Sequence, residues 1–410
     1  VNVIGKGGWG FLSLLVVLPL AAGGSAQDPD LGSPMPRARA TLDELVQDGK
    51  ALGLVAVVTR KGHVVLEYVN GKRSSSSEEA LTIDSIFRIY SMSKPITAVA
   101  ALTFLDEGRF ELDDPIADYL PELAALKVRG EGDEATVAAR TMSVRDVFCH
   151  TTGWSYDTPW EAEARRLGNS NPDLAARVEA LGSLPLEFQP GTRWRYGISS
   201  DVLGRLVEVL ADKPLDQVFH DRIFKPLGMG DTGFVVPEQE LPRLAQLSVM
   251  VGGKLKPSGR GAAIPPGSAP AFLSGGGGLY STVGDYLLFL NMLRSGGALH
   301  GVRILNASTV ELMTRDHLGD RPGEVLLAGR GYGLGVAVVT KRNRMLGKEG
   351  TWSWGGAAGT SFWVDPANDV IAVFMNQTWL DMGPRMRFQF AAAADIANWT
   401  DRDPEETEDD

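Results

Sequence analysis

Ser91-Met92-Ser93-Lys94 is the one S-x-x-K stretch in this sequence. Its serine and lysine stand three residues apart, so on a helix they share one face. A short apolar stretch, Ile86 to Ile89, precedes it. An apolar-rich segment read as one buried helix runs from Ser91 to Glu107 and stops at Gly108. Ser91 then sits at a helix N-terminus, where free backbone N–H groups and the helix dipole favour developing negative charge. A serine hydroxyl is a weak nucleophile until a neighbour takes its proton. Lysine, with an ordinary pKa of about 10.4, is protonated at neutral pH and cannot do so unless burial or nearby positive charge lowers it. Bringing it down to about 7 is worth roughly 4 kcal/mol, a demand that points to an active site. Taken alone, the same four residues are also served by Ser91 as a plain helix cap and Lys94 as a first-turn surface residue.

Other chemistries leave little trace. The G-x-S-x-G turn of α/β-hydrolases fails at its last glycine in both nearest stretches, Gly197-Ile198-Ser199-Ser200-Asp201 and Gly359-Thr360-Ser361-Phe362-Trp363. Gly275 to Gly278 lacks the Lys-Ser/Thr of a phosphate loop and reads as a run where backbones pass closely. His63, His150, His220, His300 and His317 show no zinc spacing, and the single Cys149 excludes a disulfide within the chain. No metal or cofactor is expected. A formal net charge of -11 disfavours nucleic acid and anionic membranes as partners.

Three ordered motifs carry a resemblance. Ser91-Met92-Ser93-Lys94 is the first. The second is Gln189-Pro190-Gly191-Thr192-Arg193-Trp194-Arg195-Tyr196, followed by Ser199-Ser200-Asp201-Val202-Leu203-Gly204. The third is Trp354-Gly355-Gly356. His150-Thr151-Thr152-Gly153 and Ser274-Gly275-Gly276-Gly277-Gly278-Leu279 support them. The set resembles the serine β-lactamases and penicillin-binding proteins in their class C-like branch, and within it the family VIII carboxylesterases, and the resemblance runs from about Leu42 to Asn398. The resemblance implies an acyl-Ser91 intermediate, Tyr196 as general base or proton relay beside cationic Lys94, and an oxyanion hole from the backbone N–H groups of Ser91 and Ala357. Which of Lys94 and Tyr196 is the operative base stays open, because they form a coupled pair. His150 is implied to be architectural. Two positions depart from the β-lactamase pattern. Trp354 stands where a Lys or His meets the substrate carboxylate, and Ile198 replaces the asparagine that follows the motif tyrosine. Both favour a neutral acyl group. Trp354, Gly355, Gly356, Ile198 and Trp154 are expected to contact substrate, with Tyr156, Trp160 and Phe234 as further apolar lining. The expected function is hydrolysis of short-chain acyl esters, with weak β-lactamase side activity. The alternatives are a β-lactamase or D,D-peptidase, and a non-catalytic binding protein on the same fold. The partner is a small-molecule ester.

The elements that must position these residues follow from 410 residues of ordinary composition, 44% hydrophobic and 22% charged. Strand signals lie at both ends. Leu54 to Val58 and His63 to Tyr68 form a hairpin, and Thr360 to Val364 pairs with Val370 to Met375 across Asp365–Asp369. Helix signals fill the middle: a capped start at Ser143, an N-cap at Asn171 with Pro172, and Ser200 to Ala211. Thr41 with Glu44 suggests a short capped helix. Thr282 with Asp285 caps another, and a last helix covers Arg385 to Asn398. The expected fold class is α/β: a serine β-lactamase-like fold, mainly antiparallel sheet flanked by helices, with an inserted all-helical domain. The expected organisation is a signal peptide at 1–26, a disordered leader at 27–36, a discontinuous α/β domain at 37–90 and 270–400, a mainly helical domain at 91–269, and an acidic tail at 401–410. The apolar run Trp9 to Leu20, with Gly24-Ser25-Ala26 after it, predicts export to the periplasm or medium and no membrane contact after its removal.

Overall fold

The computed structural model describes residues 35–130, 134–258, 270–321, 323, 329–341 and 347–398. The expected signal segment, nearly all of the leader and the acidic tail lie outside the described residues. The principal sheet takes strands from both chain ends: β1 (Gly53–Arg60), β2 (His63–Gly71), β3 (Arg330–Tyr332), β4 (Ala337–Val339), β5 (Trp352–Gly355), β6 (Ser361–Asp365) and β7 (Val370–Met375). Their order across the sheet is β3-β4-β5-β6-β7-β1-β2, and every pairing is antiparallel.

The unbroken apolar run of β1 reflects burial on both faces. Val55 and Val57 point into the larger core, whereas Leu54, Ala56 and Val58 point into a second one. The second core is closed by α1 (Pro36–Gln47), through Leu42 and Leu45, and by the C-terminal helix, through Phe388 and Ala392. On the larger side lies α2 (Ser93–Asp106), buried from Ser93 to Phe104. It packs against α3 (Ser199–Ala211), while α4 (Val283–Arg294) packs on β7. The C-terminal helix is α5 (Gly383–Ala397).

Several boundaries differ from the sequence expectation. α1 begins at Pro36, so Thr41 and Glu44 lie inside it rather than capping it. Proline at the first helical position, preset in φ, explains the earlier start. The helix expected from Asn171 begins at Leu174 with Asp173 as its N-cap, accepting from the Ala176 N–H. Ser143 does cap Val144–Phe148 in a full capping box with Asp146. The S-x-x-K stretch itself is split: Tyr90–Met92 is one 3-10 turn, and α2 starts at Ser93.

Candidate active site

The turn that carries Ser91 is held from three sides. Tyr286 of α4 donates to the Met92 carbonyl at 2.9 Å. Ser93 accepts from the Leu279 N–H at 3.1 Å, and Thr97 donates to the Gly275 carbonyl at 2.7 Å. Thus the polar residues of an otherwise apolar helix fasten the Ser274–Leu279 segment. The glycines there allow it: a Cβ on Gly276 would come within 2.7 Å of the Asp201 carboxylate, and one on Gly275 within 2.8 Å of the Ser200 carbonyl. Tyr90, just before Ser91, has φ of +43°, a left-handed conformation that costs a non-glycine residue energy and often marks a functional site.

Lys94 is fully buried, and its ammonium faces three oxygens. They are the Gly276 carbonyl at 2.6 Å, the Tyr156 hydroxyl at 2.9 Å and the Ser91 Oγ at 3.4 Å. An ammonium has three N–H donors, so the set matches the charged form. Burial opposes that charge, but Tyr156, Tyr196 and the Asp201 carboxylate facing it more than offset the cost, and the pKa of Lys94 is raised. Asp201 in turn accepts from Ser274 Oγ at 2.6 Å and the Gly276 N–H at 2.9 Å. Burial raises its own pKa, against the Lys94 charge.

Tyr156 is the unexpected member. Its ring is exposed along one flank, while the hydroxyl turns inward to Lys94. Burial of that hydroxyl raises its pKa despite the Lys94 charge, so it rests as a neutral phenol. Tyr196 lies with its ring 4.8 Å from the Lys94 nitrogen and 5.4 Å from the Tyr156 ring. Its hydroxyl is buried and has no hydrogen-bond partner among the described residues. His150 packs 5.1 Å from the Tyr196 ring, and also against Trp194 and Tyr332. Burial, then the Lys94 charge, hold it well below the ordinary histidine range, so it is a neutral packing residue.

The end of β5 closes the site. Trp354 meets Tyr196 and Tyr332 edge-on, with ring centroids 5.3 and 5.2 Å apart. Gly356 lies against the residue that leads into the Tyr90–Met92 turn, since a Cβ there would overlap the Ile89 carbonyl and the Thr360 hydroxyl. Its N–H donates to the Thr360 carbonyl at 2.8 Å, and the Thr360 hydroxyl donates to Ile89 at 3.4 Å. Ala357 is the next residue in the chain. Its carbonyl accepts from the Leu380 N–H at 2.7 Å. Two expected substrate contacts stand elsewhere. Trp154 and Ile198 have at most 2% of their surface exposed and belong to the larger core. They back the site rather than line it, as do Trp160 on Phe272 and Phe234 on Phe219. Sequence reasoning missed Asp201 as a charge partner and Tyr156 as a hydrogen-bond partner of Lys94. The signal for Asp201 was an acid in the first turn of α3, five residues after Tyr196.

Comparison with known proteins places this arrangement. A family model described as Beta-lactamase matches residues 38–395. Protein Rv1367c of Mycobacterium tuberculosis is 35% identical over 365 residues, covering 84% of this chain and 90% of that protein. Esterase EstB of Burkholderia gladioli is 29% identical over 379 residues, covering 85% and 92%. Among solved structures, EstCE1, a hydrolase with promiscuous acyltransferase activity, superposes with a TM-score of 0.73 at 26% identity, covering 88% of this chain and 98% of its own. The expected placement, a serine β-lactamase-like fold on the family VIII carboxylesterase branch, holds.

Proposed function

The chain belongs to the beta-lactamase family and is a serine hydrolase, and from that premise we propose that it is a carboxylesterase cleaving esters of short, uncharged acyl groups. The observation that carries this reading is the chain of contacts from Ser91 Oγ through Lys94 Nζ to the Tyr156 hydroxyl, beside the unpartnered hydroxyl of Tyr196. In this reading Tyr196, beside Lys94, takes the Ser91 proton as Oγ attacks the ester carbonyl. The backbone N–H groups of Ser91 and Ala357 hold the tetrahedral oxyanion, a donor of this kind being worth about 2.7–4 kcal/mol of barrier. Tyr196 hands the proton to the leaving alcohol, leaving acyl-Ser91. It then takes a proton from the attacking water and passes it to Ser91 Oγ as the acyl–oxygen bond breaks, which releases the acid and restores both the Ser91 hydroxyl and Tyr196. Trp354, uncharged where the third motif of β-lactamases carries Lys or His, favours a neutral acyl group over a β-lactam.

The test compares turnover of p-nitrophenyl acetate and butyrate with that of a chromogenic cephalosporin, using Ser91→Ala as control. Ester turnover that vanishes in the variant is expected, with β-lactam turnover slower. Fast cephalosporin hydrolysis with negligible ester hydrolysis would assign a β-lactamase. No turnover of either, together with no labelling by a fluorophosphonate, would make the chain a non-catalytic binding protein.

A further inference from the structure

The segment that follows β7, Asn376 to Leu380, touches both halves of the site. On the Ser91 side, Gln377 Nε2 donates to the Arg88 carbonyl at 3.0 Å, and the Trp379 ring meets the Tyr90 ring edge-on at 5.3 Å. On the Ala357 side, the Thr378 N–H donates to the Ala358 carbonyl at 2.8 Å and the Leu380 N–H to the Ala357 carbonyl at 2.7 Å. The segment is itself anchored. Asn376 Oδ1 accepts from the Gln377 N–H at 2.7 Å and from the Thr378 hydroxyl at 3.2 Å. Ser248 donates its N–H to the Gln377 carbonyl and accepts from the Trp379 N–H, each at 2.8 Å. Most of these links are made by main chain, which any residue provides. Gln377 supplies one that depends on the sequence. Its side chain is buried, and Nε2 gives its second hydrogen to the Asn376 carbonyl at 2.8 Å. Both amide hydrogens are thus used on carbonyls, and a flipped amide would set oxygen against oxygen. Its Oε1 is buried without a hydrogen-bond partner among the described residues, which a residue that merely filled space would avoid. The carbonyl it holds lies three residues before Ser91, ahead of Tyr90, whose left-handed backbone persists only where its surroundings fix it.

We propose that Gln377 is a positioning residue of the ester reaction. Through the Arg88 carbonyl it fixes the path into the Tyr90–Met92 turn, while its own segment holds Ala357 and Ala358. One side chain thereby sets the spacing between the Ser91 N–H and the Ala357 N–H, the two donors to the oxyanion. The proposal rests on the esterase reading above and adds to it a residue that acts through the main chain rather than on the substrate. Oxyanion donors act through their distance to the transition-state oxygen, so a small displacement lowers kcat and leaves ground-state binding nearly untouched.

The experiment uses Gln377→Met and Gln377→Glu in the full chain. kcat and KM are read with p-nitrophenyl butyrate, and Ki with butylboronic acid. In the esterase reading Ser91 Oγ bonds to boron and its proton passes to Tyr196, giving a tetrahedral boronate anion that mimics the intermediate. In Gln377→Met, kcat is expected to fall about 10–10²-fold with KM within about twofold, and the boronate Ki to rise by the same factor as kcat falls. In Gln377→Glu, kcat relative to the unaltered protein at the same pH is expected to rise as pH falls from about 8 to about 5. The protonated carboxyl has one hydrogen for the Arg88 carbonyl, whereas the ionised one has none and repels it. A plain loss of stability would move the melting temperature without these signatures. Folded Gln377→Met with kcat and Ki unchanged would overturn the inference, whatever its melting temperature, and leave the esterase reading standing. So would a rise in KM at constant kcat, which would make Gln377 a binding residue. If Gln377→Met does not fold, the Glu variant decides, and a ratio independent of pH overturns the inference. If the unaltered protein cleaves no ester, the esterase reading fails by itself. Boronate binding then still reads the site: about tenfold tighter binding to the unaltered protein than to Gln377→Met keeps the positioning role, and equal binding ends it.

Discussion

Lys94 presents three N–H donors to three oxygens, and in the esterase reading that geometry gives the two tyrosines different tasks. In that reading Tyr156, which accepts from Lys94, positions it, whereas the hydroxyl of Tyr196, without a hydrogen-bond partner among the described residues, meets the reacting proton. Tyr196→Phe is therefore expected to lower kcat for p-nitrophenyl butyrate by about 10²–10⁴, the range of a lost general base. Tyr156→Phe, which leaves Lys94 two of its three acceptors, is expected to cost about tenfold, of the order of one hydrogen bond to a charged group. Steady-state kinetics on both variants decides; a larger loss at Tyr156 would move the base there. How much of this was legible before folding depends on distance along the chain. Ser91 and Lys94 are three apart, so their pairing is a property of one helix turn. Tyr196 was found through a family motif. Tyr156, 62 residues from Lys94, and Asp201, whose carboxylate is delivered by α3, are made partners only by tertiary packing. Trp154 and Ile198 were mistaken for lining because an aromatic or branched side chain near a motif reads the same whether it faces a cleft or a core.

At the scale of elements, the start of α4 shows what a capping pattern does and does not reveal. Thr282 with Asp285 read as a helix start, and Thr282 does accept from the Asp285 N–H at 3.2 Å. The carboxylate of Asp285, however, turns away to accept from the Asp231 N–H and the Thr232 hydroxyl, each at 2.8 Å. Burial outweighs those bonds and raises Asp285 to about 6. Between pH ~4 and ~6 the folded chain holds a proton that the unfolded chain has already released, so this residue's contribution falls as pH rises through that window and is constant above it. The change amounts to about 3 kcal/mol. Urea unfolding of Asp285→Asn alongside the unaltered protein is expected to show the variant gaining relative stability from pH 4 to 6.5. A pH-independent difference would mean that Asp285 ionises normally. Other boundaries were hidden for a related reason. Thr41 with Glu44 satisfies a capping pattern, yet Pro36 starts α1 five residues earlier, and pattern alone cannot say which of two competent starts the fold uses.

Over the whole molecule, the sheet joins strands from both chain ends, and the two terminal helices seal its second core together. α1 opens after Met35, which offers no capping side chain. Its first N–H groups are met instead from α5: Asp395 accepts from the Ala38 N–H at 2.9 Å and from Arg37 at 3.4 Å. Leu42 and Leu45 share a core with Phe388, Ala392 and Phe374, and Arg387 pairs with Glu44 nearby. Pro36 marks the start of α1 locally, but the carboxylate that caps it was not legible there, because it lies more than three hundred residues away. A carboxylate at a helix N-terminus also meets the positive end of the helix dipole. Asp395→Ala is expected to cost about 1–2 kcal/mol, the upper part of the range for a lost N-cap. The site around Ser91 lies on the other face of the sheet, where α2 packs, so ester turnover by the folded variant should be unchanged. Urea denaturation followed by far-ultraviolet circular dichroism, with p-nitrophenyl butyrate turnover on the same samples, separates the two effects. Reduced turnover at full folding would show that the terminal helices do more than hold the sheet, by coupling its second core to the turn that carries Ser91.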